Sequence, residues 1–203
     1  MNSVTFGDQK VYPSKIVCVG RNYVEHIEEL DNEIPEQPVI FLKPNSSISN
    51  GIVSSKDEVI HYEGEITFLI RSGEIAGVGF GLDLTKREVQ ANLKSKGLPW
   101  ERAKAFDQSA VFSNFVVHEG DVNALRMELL INGRLVQSGG CTLMLYKPAA
   151  ILNDVKRFLS FEDGDLLMTG TPKGIGPISP GDTFTGTILE GTRVVVEGSW
   201  VAL

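Results

Sequence analysis

The sequence predicts a mainly β fold with a few helices (α+β), and three observations carry that expectation. Glycine is abundant, at 21 of 203 residues, and 9 prolines punctuate the chain, so turns are frequent and strands outnumber helices. Short apolar runs such as Val39-Ile40-Phe41-Leu42 have strand length and are closed by turn residues, here Pro44 and Asn45-Ser46-Ser47. Asn132-Gly133, set between Leu129-Leu130-Ile131 and Leu135-Val136, has the form of a primed hairpin turn. The chain is long enough for one well-packed domain and short for two, and no repeat or linker divides it, so a single domain over 1–203 is expected.

In chain order, residues 1–19 read as short strands broken by Gly7-Asp8 and Pro13. Asn22 and Glu25 are spaced as a capping box, predicting a short helix to about Leu30. The acidic stretch Asp31–Pro38 reads as an exposed loop. His61–Ile70 reads as one strand, and Gly77–Asp83 as a glycine-dense second one. Thr85 and Glu88 form another capping box, opening a helix that ends at Lys96 with Gly97 and Pro99 beyond. Pro148–Phe158 is amphipathic through Ile151, Leu152, Val155 and Phe158, and predicts a third helix. Short strands with glycine turns fill Asp165–Leu203.

Composition narrows the function. Hydrophobic residues make up 42% and charged residues 22%, ordinary values for a globular chain. The net charge of −7 and the lack of a basic block argue against a nucleic-acid partner. A small anionic substrate stays compatible, because a local cation can outweigh the global sign. No apolar run reaches the length of a membrane span, and the N-terminus does not open as a signal peptide. Cys18 and Cys141 form no motif, and Cys18 reads as a small core residue, so a reducing cytoplasm is the expected location.

Glu63 and Glu65 are the chemical signal. At i and i+2 of a strand they project to one side, and Gly64 leaves the other side bare. Like charges so close repel unless a cation lies between them or one is protonated, and the apolar Ile66-Thr67-Phe68-Leu69-Ile70 tail leads toward a core where the pair is costly. A divalent metal resolves the conflict. Asp83, at the end of the glycine-rich strand, is the local candidate for a third ligand, although a carboxylate there also suits a helix start. Three carboxylates with water suit Mg²⁺ or Mn²⁺ better than Zn²⁺. His61 shares the face of the glutamates, but the preferred reading is an ordinary histidine at a strand start.

Other groups stand further along the chain. His26 and Glu29 are three apart on the first helix, a spacing at which a carboxylate can orient an imidazole for proton transfer; a plain polar helix face gives the same pattern. Lys104 is a cation in a mildly apolar setting, able to pair with an anion or to sit on the surface. Thr169–Pro177 is a glycine- and threonine-rich loop whose N–H groups and hydroxyls could bind a carboxylate, and it lacks the ending of a phosphate loop.

Together these stretches resemble the fumarylacetoacetate hydrolase superfamily, and within it the small acylpyruvate hydrolase/oxaloacetate decarboxylase branch. The resemblance rests on Gly20-Arg21-Asn22-Tyr23 with His26 and Glu29, Phe41-Leu42-Lys43-Pro44, Tyr62-Glu63-Gly64-Glu65, Leu82-Asp83-Leu84-Thr85 with Arg87 and Gln90, Lys96-Gly97-Leu98-Pro99-Trp100 with Lys104, and Thr169-Gly170-Thr171-Pro172-Lys173-Gly174. These occur in family order over about residues 15–185. The resemblance implies a β-roll of that family, commonly a homodimer, with Mg²⁺ or Mn²⁺ on Glu63, Glu65 and Asp83. It implies that Lys104 contacts substrate oxygens, that His26 and Glu29 lie on a lid segment and position an attacking water, and that Gln90 and Thr171 line the substrate pocket. Arg21 and Lys43 match positions near the site, Arg21 as a substrate contact. Gly64 departs from the family, which commonly has Val or another apolar residue there.

The implied activity is hydrolysis of a C–C bond in an acylpyruvate-type β-diketo acid through a metal-stabilised enolate. Decarboxylation or keto–enol tautomerisation of oxaloacetate, or isomerisation of an unsaturated 2-oxo dioate, would use the same apparatus. A non-catalytic binding protein predicts gaps among these residues, and none occurs.

Overall fold

A computed structural model describes residues 1–30, 33–54 and 58–203. The expected mainly β architecture is present, with four short α-helices among the described residues: α1 (Val24–Glu29), α2 (Arg87–Ser95), α3 (Glu101–Lys104) and α4 (Pro148–Val155). An eight-stranded curled sheet runs in the order Val39–Pro44, Lys15–Gly20, Leu166–Met168, Gly64–Arg71, Glu74–Asp83, Ala110–Phe112 and Ile48–Ser49, with Val116–Val117 also pairing to Glu74–Asp83. An antiparallel four-stranded sheet packs on it, in the order Arg134–Gly140, Leu125–Ile131, Thr183–Glu190 and Arg193–Val201.

Side-chain alternation on Gly64–Arg71 shows how the core divides. Ile66, Phe68 and Ile70 face the second sheet and join Phe80, Met127, Leu129, Phe184 and Ile188 in the larger apolar cluster. Leu69 faces the other way and packs with Ile16, Cys18, Leu166 and Met168 in a smaller one. The strand is therefore buried on both faces, and a polar side chain on it survives only with partners. The hairpin forms as expected, with Asn132 at φ 52° and Gly133 at φ 78°, the left-handed values that a type I′ turn demands. Helix α2 ends one residue early, capped by Lys96, and Gly97 takes φ +62°.

Four expectations need correction. Helix α1 starts after Tyr23 with no side-chain cap. Asn22 is instead fully buried: its amide donates to Tyr146 O (3.0 Å) and Thr169 O (2.8 Å) and accepts from Tyr146 N (2.8 Å), so two loops claim the side chain before the helix can. Thr85 is likewise not a cap; α2 begins two residues later, and the Thr85 hydroxyl is 2.6 Å from Lys104 Nζ. The single strand His61–Ile70 splits at Glu63, since Ile60–Tyr62 pairs with Thr85–Lys86 and Gly176–Pro177 in a separate small sheet. Gly64 does not leave a bare back face: a Cβ there would stand 2.8 Å from Met127 Cε and 3.0 Å from Phe80 Cζ. The second sheet presses against that face, and glycine is what permits the approach. Within the expected acidic loop, Asp31 and Asn32 lie outside the described residues, and Glu33, Ile34, Glu36 and Gln37 are exposed.

Candidate active site

Strand register assembles the carboxylates. Glu65 pairs directly with Gly81, and the Asp83 N–H donates to Glu63 O at 2.9 Å, so Glu63, Glu65 and Asp83 meet on one face of adjacent strands. Gly81 keeps the ground between them low; a Cβ there would lie 2.4 Å from the Thr67 hydroxyl. The three residues are buried, and one ligand oxygen from each lies within 4.8 Å of the others. Among the described residues this is the group of acidic, histidine or cysteine side chains with metal-site spacing, and His61 is not part of it. His61 lies on the separate small sheet, where burial lowers its pKa.

Cations answer the three charges unequally. Lys104 Nζ contacts Glu63 Oε2 (2.8 Å), Asp83 Oδ2 (2.6 Å) and the Thr85 hydroxyl (2.6 Å). Lys43, wholly buried, lies 2.8 Å from Asp83 Oδ1 and donates to Lys104 O, Ser109 O and the Ser109 hydroxyl. Arg87 Nη1 reaches Glu63 Oε1 at 3.4 Å and donates to Gln90 Oε1 at 2.8 Å. Burial pushes Glu63 up, but Lys104, His26 and Arg87 outweigh it and hold its carboxyl at about 2. Glu65 has only the Gly170 N–H, donating to Oε2 at 2.7 Å. Burial, then Asp83 and Glu63, push the Glu65 carboxyl well above the ordinary range. Among the described residues a carboxylate so placed has no cation in hydrogen-bond contact, and Lys104 answers it only from a distance. A divalent cation among hard oxygen ligands supplies that contact, so the donor set fits Mg²⁺ or Mn²⁺.

Helix α1 brings His26 and Glu29 together. His26 is buried, and its Nδ1 lies 2.9 Å from Glu29 Oε2, leaving Nε2 as the nitrogen available to a ligand. Glu29 Oε1 accepts from Gly174 N at 3.0 Å, and Lys173 lies 3.1 Å from Glu25, so α1 is tied to the 169–177 loop. That loop does bind carboxylates through its N–H groups, but they are the protein's own: Glu65 at Gly170 and Glu29 at Gly174. The Thr171 hydroxyl accepts from Gln137 Nε2 at 2.8 Å.

A cleft joins these groups. Arg21, His26, Glu63, Glu65, Asp83, Gln90, Lys104 and Thr171 all line it; Glu29 does not, and contacts His26 instead. Sequence reasoning gave no site role to Lys94 or Trp100, which also line the cleft, nor to Gln137, which braces it. Lys94 had a readable signal: Arg87, Gln90 and Lys94 fall at i, i+3 and i+7, one face of α2. Gln137 had none, because it comes from the other sheet. Its Oε1 accepts the Gly64 N–H at 2.9 Å, while Nε2 donates to Thr171 Oγ1 and, at 2.8 Å, to Pro172 O.

A curled β-sheet that presents a buried Glu-x-Glu…Asp set beside a lysine and a His–Glu pair defines a class of metal-binding enzymes. The chain belongs to the fumarylacetoacetate hydrolase family: residues 15–199 match the family's model for the fumarylacetoacetate hydrolase C-terminal region. It is 37% identical over 195 residues to oxaloacetate tautomerase YcgM of Escherichia coli K12, covering 87% of this chain and 89% of that one. It is 39% identical over 190 residues to mitochondrial oxaloacetate tautomerase FAHD1 of Mus musculus, covering 85% and 86%. Among solved structures, a candidate fumarylacetoacetate isomerase/hydrolase from Oleispira antarctica superposes with a TM-score of 0.92 at 36% identity, over 100% of both chains. Fumarylpyruvate hydrolase from Pseudomonas aeruginosa, in complex with Mn²⁺ and pyruvate, superposes with a TM-score of 0.89 at 26% identity, over 100% of this chain and 95% of that one.

Proposed function

We propose that this protein is a divalent-metal-dependent oxaloacetate keto–enol tautomerase. The observation that carries the reading is the meeting, in one cleft, of a carboxylate triad short of positive charge and an imidazole whose second nitrogen is free for a proton. The relatives named as oxaloacetate tautomerases support this choice over acylpyruvate hydrolysis. Glu63, Glu65 and Asp83 would hold Mg²⁺ or Mn²⁺, which supplies Lewis acidity that lowers the cost of negative charge on the substrate's keto oxygen.

The chain's own residues do the rest. Arg87, Gln90 and Thr171 orient the 2-oxo acid in the cleft. Lys104 places an ammonium beside the oxygens where charge develops, and it needs no reorganisation because Asp83, Glu63 and Thr85 already hold it. His26 Nε2 takes the proton from C3 while Glu29 fixes the tautomer through Nδ1. The His26 imidazolium then gives up that proton as the keto oxygen gains one, which restores the neutral base, so the keto acid becomes the enol with no atom lost; the reverse direction runs the same steps backward.

Hydrolysis of an acylpyruvate is the second reading, favoured by the likeness to a fumarylpyruvate hydrolase. It adds a water that His26 would deprotonate, and it retains the same triad and lysine. A panel of oxaloacetate, acetylpyruvate and fumarylpyruvate, with Mg²⁺ and EDTA arms and with enol and keto forms followed separately, tests the assignment. The expected result is rapid, EDTA-sensitive interconversion of oxaloacetate forms, slowed about 100-fold in His26→Ala. Turnover of the acylpyruvates without oxaloacetate interconversion would reverse it.

A further inference from the structure

The cleft holds a second charge conflict, opposite in sign to the carboxylate triad. Lys94 lies on the same face of α2 as Arg87 and Gln90, and its ammonium sits 5.0 Å from the centre of the Trp100 ring. Trp100 is itself fixed, tilted against Phe41 with ring centres 5.8 Å apart and packed on Gly20, where a Cβ would lie 3.4 Å from the indole. Among the described residues the Lys94 ammonium has no hydrogen-bond or ion-pair partner, and the Arg21 guanidinium has none either, its Nε being buried without one. Arg21 also keeps a left-handed backbone, φ 55°, a conformation that costs about 1 kcal/mol in a residue with a side chain. Burial and the guanidiniums of Arg21 and Arg87 press Lys94 down to about 8. Among the described residues the carboxylates lining the cleft are the three of the triad, and those are already met by Lys104, Lys43 and the divalent cation for which they fit. Among the described residues, then, no carboxylate in the cleft is left to answer Arg21 and Lys94.

A 2-oxo monoacid brings one carboxylate, which the triad end of the cleft uses. A second carboxylate on the ligand would settle the remaining positive charge, with the indole holding the ammonium in place. We propose that Lys94, together with Arg21, forms a subsite for the distal carboxylate of a 2-oxo dicarboxylic acid, and that Lys94 separates such acids from 2-oxo acids with an uncharged tail. The inference rests on the reading of the cleft as a 2-oxo acid site and adds the residue that selects the tail.

The test uses the Mn²⁺-loaded protein and a matched pair of acids, 2-oxoglutarate and 2-oxopentanoate, titrated by calorimetry. They share the chelating end and differ in whether the tail is charged. The wild type should bind 2-oxoglutarate about tenfold more tightly, the effect of one charge-assisted hydrogen bond. Lys94→Met should remove most of that preference while leaving 2-oxopentanoate affinity within about twofold, and Lys94→Arg should restore it. Thermal melts of each variant confirm folding. Equal binding of the two acids by the wild type, or equal loss of both in Lys94→Met, would overturn the subsite alone. Failure of the wild type to bind either acid would overturn both the subsite and the 2-oxo acid reading beneath it.

Discussion

Two buried carboxylate sites in this molecule carry opposite meanings. Asp165, with no exposed side-chain surface, accepts from Ser14 N, the Ser14 hydroxyl, Lys15 N and Glu162 N at 2.8 to 3.1 Å, and pairs with Lys15 Nζ. Burial alone would raise its carboxyl, but the Lys15 ammonium and these donors win, and it titrates below the ordinary value. Glu65 is hidden from solvent too, lies deeper in the protein, and has one donor among the described residues, Gly170 N–H, with two carboxylates facing it. Depth adds to the contrast, and the ratio of donors to oxygens sets its chemistry. A carboxylate saturated by N–H groups is a tie between segments, whereas one short of donors and facing its own kind is a place for a cation.

The largest effect that sharpens this contrast is on activity. Asp83→Asn should lower the turnover of oxaloacetate about 1,000-fold, since it removes a metal ligand and the shared partner of Lys43 and Lys104. EDTA should have the same effect on the wild type, reversed by Mg²⁺ or Mn²⁺. Asp165→Asn, assayed below its melting temperature, should keep wild-type turnover. Equal losses in both variants, measured by the ultraviolet absorbance of the enol, would erase the distinction between the two sites.

Next in size is the stability of the tie. Asp165→Asn should cost about 3 kcal/mol, because it leaves Lys15 without its buried partner, and should lower Tm by about 6–12 °C. Asp165 titrates lower in the folded state than in the unfolded one, so its stabilisation is complete above the ordinary carboxylate value and fades as pH falls through the folded value. Urea melts of wild type and variant should therefore converge progressively below about pH 4.

Much of this was legible in the sequence, for a physical reason that also marks where legibility ends. The triad could be anticipated because Glu63 and Glu65 obey strand periodicity and Asp83 closes a recognisable strand. His26 with Glu29, and Arg87 with Gln90 and Lys94, obey helix periodicity. Signals of that kind stay within one element. Asn22 and Thr85 looked like caps because local spacing says so, yet partners 19 or more residues away claim them. The same blindness applies to Gln137 and to the back of Gly64, where two sheets meet. Neither contact has a period to read.

Gly64 turns that blindness into an experiment of middle size. Restoring the family's commoner residue by Gly64→Val would drive its Cβ into Met127 and Phe80 and against Gln137 Oε1 at 3.1 Å, costing about 2 kcal/mol. Shortening Met127 in the double variant Gly64→Val/Met127→Ala should recover part of that loss, because the nearest atom is the end of a flexible side chain. Simple additivity of the two substitutions in a denaturant series would show that the glycine and the methionine are not packed as a pair.

The smallest effect tests the contrast most directly, because its sign is unusual for a buried charge. Glu65 titrates higher in the folded protein than in the unfolded chain, so without metal its ionisation opposes folding. The penalty is absent below the ordinary carboxylate range and grows as pH rises toward the folded value. In EDTA at neutral pH, Glu65→Gln should therefore melt slightly higher than wild type, by about 1 kcal/mol or 2–4 °C, and the advantage should vanish near pH 4. Asp165→Asn has the reverse sign and the reverse pH dependence, although that side chain too has no surface exposed. Adding Mn²⁺ should invert the order at Glu65, since metal that binds only the folded state stabilises the wild type in proportion to its occupancy and the glutamine variant far less. A Glu65→Gln variant less stable than wild type in EDTA would mean that the carboxylate is already satisfied, like Asp165, and that the triad holds the fold rather than a cation.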